Sequence, residues 1–196
     1  MKINFITSNA GKIKSLKSYF ERMGRTDISV VASDLRLIEP KANTVAEVSL
    51  SKARQAFKIL KEPVIVEDGG FAIEALNGFP GVYTKYANET IGAEGYMRLM
   101  AGIKNRNAKW LSVTTYIDSK GAEFQFNREG GDVVIAEKMS NTNNPAAWSD
   151  LWKIVWIERF QKVMADMTEE ENLQRHTANK DRSSLDIFVE WFVKQK

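Results

Sequence analysis

The chain has 196 residues, 43% of them hydrophobic and 27% charged, with a net charge of +3 and a pI near 9.0. That balance and length suit a self-standing globular core and exclude a disordered polyelectrolyte. The lack of cysteine excludes disulfides, thiolate nucleophiles and cysteine-held zinc, and no apolar run approaches the roughly 20 residues of a membrane helix.

The first ten residues, Met1 to Ala10, lack the apolar region of a secretion signal, so a cytoplasmic protein with no membrane partner is expected. Ile3-Asn4-Phe5-Ile6 is too short for a helix and reads as a buried strand. Thr7 to Gly11 is turn chemistry. Ile13, Leu16, Phe20 and Met23 then recur at helical spacing until a stop near Gly24. Residues 28–32 read as a second strand. Thr44-Val45-Ala46-Glu47 matches a capping box, opening a helix that turns Val48, Ala53, Ala56, Phe57 and Leu60 toward a core. Residues 63–66 form a compact apolar strand running into Glu67-Asp68-Gly69-Gly70. This β-α-β-α-β order predicts an α/β sheet with helices packed against it.

Further on, 111–117 and 122–127 flank Asp118-Ser119-Lys120-Gly121, a hairpin signal, with a third short strand over 132–135. Residues 136–150 read as loop. Trp148, Trp152 and Trp156, four apart, suggest a helical stripe that serves either as core or as a stacking platform. A helix start follows at 168–172, and a last helix from Ser184 carries Leu185, Phe188, Val189 and Phe192. No repeat or linker interrupts the chain, so a single domain over 1–196 is expected, with a second lobe supplied by its middle.

Three stretches carry the chemistry. Thr7-Ser8-Asn9-Ala10-Gly11-Lys12 lies between a strand and a helix start, where free amides and the helix dipole favour a phosphate. It lacks the Gly-Lys-Ser/Thr spacing of a Walker loop, and a plain N-cap beside a surface lysine is the simpler reading of the stretch alone. Glu67 and Asp68, two adjacent carboxylates at a strand's end, repel one another and suit Mg²⁺ shared with substrate phosphates; an acidic turn without metal is the alternative. Gly69 and Gly70 allow a sharp turn and close substrate approach. Leu76 to Tyr83 is a stiff Gly/Pro loop bearing a tyrosine for a base or a partner subunit.

Taken together, these stretches resemble the inosine triphosphate pyrophosphatase family. Its Thr/Ser-x-Asn-x-x-Lys loop is matched by Thr7, Asn9 and Lys12, and its acidic strand by Val66 to Gly70. Its Leu-x-Gly-x-Pro-Gly-x-Tyr segment is matched by Leu76, Gly78, Pro80, Gly81 and Tyr83, and its phosphate-binding helix by Glu47 and Lys52-Ala53. The resemblance implies an α/β fold with a mixed central sheet and two lobes around a nucleotide cleft. It implies Mg²⁺-dependent hydrolysis of a nucleoside triphosphate between the α- and β-phosphates, by a homodimer with no stable nucleic-acid partner. Carried over, Asp68 is the catalytic carboxylate, and Glu39, Glu67 and Asp68 are metal ligands. Thr7, Ser8, Asn9, Lys12, Lys52, Gly69, Gly70 and Arg182 are substrate contacts.

Later motifs of that family are eroded. The Gly-Phe-Gly-Tyr-Asp-Pro segment is replaced by residues 147–153, Ala-Trp-Ser-Asp-Leu-Trp-Lys. Glu171 stands where a lysine is expected; either a base from the Arg175 or Lys180 region compensates for this reversal, or this half binds a different group. Only Arg182 survives of a Ser-His-Arg. An altered base specificity follows. A nucleotide-binding protein without turnover, and a hydrolase acting on another bond such as the glycosidic one, are the alternatives.

Overall fold

Strand β1 (Lys2–Ile6) buries Ile3 and Phe5 and leads through a short turn into helix α1 (Ala10–Arg22). Strand β2 (Ser29–Ser33), helix α2 (Val45–Leu60) and strand β3 (Val64–Ile73) follow. Next come β4 (Pro80–Gly81), α3 (Thr84–Thr90), α4 (Gly92–Leu99), β5 (Asn107–Ile117) and β6 (Glu123–Ile135). The chain closes with β7 (Val155–Ile157), β8 (Lys162–Val163), α5 (Glu169–Thr177) and α6 (Ser184–Phe192). The computed structural model describes residues 1–177 and 183–195. The sheet order is β2-β1-β3-β5-β6-β7-β8, with β4 paired to β3. β1 is parallel to β2 and β3, whereas β3–β4, β6–β7 and β7–β8 are antiparallel, so the sheet is mixed as expected.

The chain forms two units, one of Met1–Gly69, Ser112–Arg128 and the C-terminal helix, the other of Gly70–Leu111 and the described part of Glu129–Asp181. In the first, strand alternation sorts side chains onto two helix-covered faces. Ile3, Phe5, Ile65, Tyr116 and Phe126 meet Leu16 and Phe20 of α1 and Leu185, Phe188, Val189 and Phe192 of α6. Val64, Val66 and Ile117 meet Ala53 and Ala56 of α2 on the other face. Burial of this kind is the main stabilising term; truncating a ring such as Phe188 to alanine costs about 3–5 kcal/mol. The Thr44 hydroxyl accepts from Glu47 N at 3.2 Å while Glu47 Oε2 accepts from Thr44 N at 3.0 Å, which realises the capping box. The second unit has its own core around Phe71, Ile73, Tyr96, Met100, Ile135, Leu151 and Trp152.

Four local expectations need correction. β3 does not stop at Val66 but continues through Glu67–Gly70 to Ile73, because neither Gly69 nor Gly70 takes a positive φ and the backbone stays extended. The strands expected at 122–127 and 132–135 are one 13-residue strand, β6. The tryptophan stripe is not helical. Trp152 is buried in a 3-10 turn (Asp150–Lys153) capped by Ser149, Trp156 lies in β7 opposite Val134, and Trp148 is exposed. Met23, at the C-cap of α1, is exposed rather than core. Among the described residues no helix is long and apolar enough to cross a membrane.

Candidate functional site

The register Asn4–Val64 and Phe5–Ile65 sets the end of β1, Ile6, level with Val66. From Glu67 onward β3 therefore has the turn 7–9 in place of a strand on its β1 edge, while its other partners are β5 and β4. Alternation sends Glu67 to the face of Ile65, under α1 and α6, and Asp68 to the face of Val66, under α2.

In the turn, Asn9 is the N-cap of α1. Its Oδ1 accepts from Gly11 N at 2.9 Å and Lys12 N at 3.2 Å, and its own N–H donates to Thr7 Oγ1 at 3.1 Å. Two amides expected to be free for phosphate are thus occupied by the cap, with Asn9 Oδ1 as their acceptor. A Cβ at Gly11 would meet Asn9 Oδ1 at 3.1 Å, so a small residue keeps this cap tight. Ser8 is exposed at the tip. Lys12 folds back from the first turn. Its Nζ lies 2.9 Å from Glu67 Oε2, off the line of a hydrogen bond, and donates to the Glu67 carbonyl at 3.4 Å.

On the other face, Lys52 Nζ bridges two carboxylates, Asp68 Oδ2 at 2.7 Å and Glu39 Oε2 at 2.8 Å. Burial alone pulls the Lys52 ammonium toward deprotonation, but the hydrogen bonds it donates to Asp68 and Glu39 outweigh it and the pKa is raised. Asp68 Oδ1 also accepts from Gly69 N at 2.9 Å. The loop carrying Glu39 is tied to α2 by Gln55, whose side-chain amide exchanges bonds of 2.9 and 2.8 Å with Ile38 N and O. Ser49, fully buried one turn before Lys52, fixes α2 to the sheet through Val66 O and Val113 O, both at 3.3 Å, and Thr115 Oγ1 at 2.8 Å.

The structure therefore brings Glu39, Lys52 and Asp68 together on one face, and Lys12 with Glu67 on the other. The expectation that Glu39, Glu67 and Asp68 surround one metal is redrawn as a pair plus a separate carboxylate. Among the described residues no three His, Cys, Asp or Glu side chains form a metal cluster. Two oxygens already within 2.8 Å of one cationic nitrogen do fit Mg²⁺, which is commonly held by one or two carboxylates plus substrate phosphates. Gly69 is exposed on β3 and Gly70 buried beside it. Arg182 lies outside the described residues.

Sequence reasoning missed Ser112, Ser184, Thr114, Ser49 and Gln55. Ser112 Oγ donates to Glu67 Oε1 at 3.1 Å and touches Ser184 Oγ at 2.6 Å, which in turn touches Thr114 Oγ1 at 2.7 Å. A signal was present: hydroxyls at positions 112 and 114, two apart in an apolar strand, share one face. In the second unit Glu171 pairs with Lys162, at 2.7 Å, and Lys180 lies outside the described residues. Glu171 also caps α5, accepting from Thr168 N at 2.8 Å while Thr168 Oγ1 accepts from Glu171 N at 3.2 Å. A cavity of about 510 Å³ in that unit is lined by Met97, Met100, Arg106 and Glu137 and contains none of these site residues. Arg106 there spends its guanidinium on the carbonyls of Met100, Ile103, Ile135 and Ala136.

The Ham1 family profile matches residues 3–180, most of the chain. The chain belongs to the Ham1 family. A dITP/XTP pyrophosphatase of Pyrococcus horikoshii is 33% identical over 193 residues, 97% of this chain and 96% of its own. One from Methanopyrus kandleri is 41% identical over 129 residues, 66% of this chain and 67% of its own. The Staphylococcus aureus Ham1 protein superposes with a TM-score of 0.81 over the full length of both chains. At 21% identity that likeness is one of fold.

Proposed function

We propose that this Ham1-family chain is a nucleoside triphosphate pyrophosphatase, acting as one domain over 1–196 and hydrolysing (d)NTP with one water to (d)NMP and pyrophosphate. The observation that carries this reading is the Lys52 ammonium shared by Asp68 and Glu39. Without substrate, Lys52 neutralises the two carboxylates. A polyphosphate competes for the same ammonium and frees them. Asp68 and Glu39 are then the residues that hold Mg²⁺, which when bound supplies Lewis-acid polarisation of a phosphoryl oxygen. Asp68 orients the attacking water and takes its proton at Oδ2, Lys52 and Lys12 bind the phosphate tail, and Thr7, Ser8, Asn9, Gly69 and Gly70 line its approach. Arg182 is assigned to the substrate by the family resemblance.

The dITP/XTP pyrophosphatases among its relatives suggest a deaminated purine as substrate. The replaced segment 147–153 supports a base preference that departs from theirs. The homodimer rests on the family likeness and the cytoplasmic setting on the sequence reading, and light scattering on the purified chain tests the former. The deciding experiment screens standard, deaminated and modified (d)NTPs for released pyrophosphate with Mg²⁺. Turnover of at least one, abolished in Asp68→Asn, is expected; silence with all of them on folded protein refutes the proposal.

A further inference from the structure

The Glu67 carboxylate differs from that of Asp68 in what surrounds it. Its side chain is only 11% exposed, and its two oxygens have separate partners, Oε1 with Ser112 and Oε2 with Lys12. Behind Ser112 lies a chain of hydroxyls whose direction follows from chemistry. A carboxylate paired with an ammonium only accepts, so the single proton of Ser112 goes to Glu67 Oε1. The 2.6 Å contact between Ser112 and Ser184 must then be donated by Ser184, and the 2.7 Å contact between Ser184 and Thr114 by Thr114. Thr114 and Ser184 are fully buried. The chain runs one way, Thr114 to Ser184 to Ser112 to Glu67, and each bond polarises the next toward the carboxylate. Ser184 is the first residue of α6 and its N–H points at Ser112 Oγ at 3.4 Å, so the chain is anchored in both the sheet and a helix.

We infer that Ser112 is a positioning residue: it fixes the Glu67 carboxylate, which in turn holds the Lys12 ammonium at the β1–α1 turn for phosphate. An ammonium has three donors. Lys12 donates to the Glu67 carbonyl at 3.4 Å and is ion-paired with Oε2 at 2.9 Å, so at least one donor is left for a ligand while the flexible stem is held. Glu67 accordingly serves the phosphate side of the site, and metal binding falls to the Asp68–Glu39 face. The inference rests on the proposal that Lys12 contacts phosphate.

The test is calorimetric binding of inorganic tripolyphosphate to the full-length protein, with Mg²⁺ and with EDTA, so that it does not depend on turnover. Ser112→Ala is expected to weaken binding by about three- to tenfold, the usual effect of one hydrogen bond, by the same factor in both media. Ser112→Thr, which keeps the hydroxyl, restores it. In a Lys12→Ala background the Ser112→Ala effect disappears, a coupling that general loosening of the fold would not produce. Should Ser112→Ala fail to fold, Ser112→Cys, with its weak thiol donor, takes its place. The inference is overturned if Ser112→Ala binds like wild type, if its loss persists in Lys12→Ala, if the loss appears only with Mg²⁺, or if the wild type ignores tripolyphosphate. Tripolyphosphate binding with this pattern but no pyrophosphate release from any (d)NTP would refute the proposed activity and leave the positioning role standing.

Discussion

Glu67 and Asp68 are bonded neighbours, yet their carboxylates face opposite sides of β3 and pair with different lysines, Lys12 at 2.9 Å and Lys52 at 2.7 Å. The repulsion that adjacent acids suggest in a sequence is largely removed by strand geometry, which separates neighbouring side chains across the sheet. β1 ends level with Val66, so both side chains lie past the end of that neighbouring strand. The proposed activity calls on these two ion pairs to serve one polyphosphate.

Asp68→Asn keeps the shape of the side chain and an oxygen for the Gly69 amide, now at 2.9 Å, but cannot take a proton from water. Pyrophosphate release should fall by about 10²–10⁴-fold, the usual range for a positioned general base. The melting temperature should stay close to wild type. Steady-state assays beside a thermal melt decide it, and a variant with unchanged turnover would remove Asp68 from the mechanism.

Lys52→Met separates the two functions of its face. With the ammonium gone, Asp68 and Glu39 keep two negative charges with no shared counterion, so Mg²⁺ should bind tighter while tripolyphosphate binds weaker, each by on the order of tenfold. Titrations of each ligand alone should move in opposite directions. The pKa of Lys52 is raised above 10.5 in the folded protein, so its contribution to stability is complete below the unfolded value and is lost as pH climbs through the folded one. Melts between pH 9 and 12 should accordingly show a steeper alkaline decline in wild type than in Lys52→Met.

Much of this was legible in the residues because local rules governed it. The capping box at Thr44 and Glu47, the parallel strands β1 and β3 and the apolar stripe of α6 each follow from a short periodic pattern that the tertiary structure reinforces. Lys12, Lys52, Glu39 and Asp68 could be named because the family motifs mark them. What could not be read is where a pattern admits two outcomes. Glycines 69 and 70 permit a turn but equally an extended strand, and the β-sheet partners selected the strand. Spacing of four put Trp148, Trp152 and Trp156 on a would-be helix face, but pairing of β7 with β6 claimed Trp156 first. The hydroxyls behind Glu67 come from β5 and α6, about 45 and 117 residues later in the chain, a distance no local pattern encodes.

Glu171 shows how a charge reversal is absorbed. Its pKa is lowered first by the hydrogen bond with Lys162 and next by the Thr168 amide. A depressed carboxylate contributes stability above its unfolded pKa of 4.5, and that contribution is lost as pH falls through the folded value. Glu171→Gln should therefore show a flatter acid limb than wild type in melts taken from pH 6 down to pH 3. Glu171→Lys, which restores the residue type the family motif calls for, should melt lower than wild type by about 2–4 °C. It sets an ammonium against Lys162 and breaks the cap of α5.

Gly131 lies within β6 at φ +85°, and a Cβ placed there would come within 2.9 Å of Trp110 Cδ1. Trp110 is itself wedged between Phe71, with ring centroids 4.6 Å apart, and the exposed Trp148 at 5.4 Å. Alanine at this position faces two costs together. The left-handed backbone disfavours any Cβ by about 1–2 kcal/mol, and the contact with a ring fixed on both sides cannot be relieved by rotating a flexible chain end. Gly131→Ala should lose about 2–5 kcal/mol of stability, counting about 1–3 kcal/mol for overpacking. It should also shift the tryptophan emission as Trp110 is displaced from Phe71. Chemical denaturation followed by fluorescence reads both at once. A variant as stable as wild type with an unchanged spectrum would mean that the ring yields freely, and that Gly131 is needed for neither the backbone nor the aromatic stack.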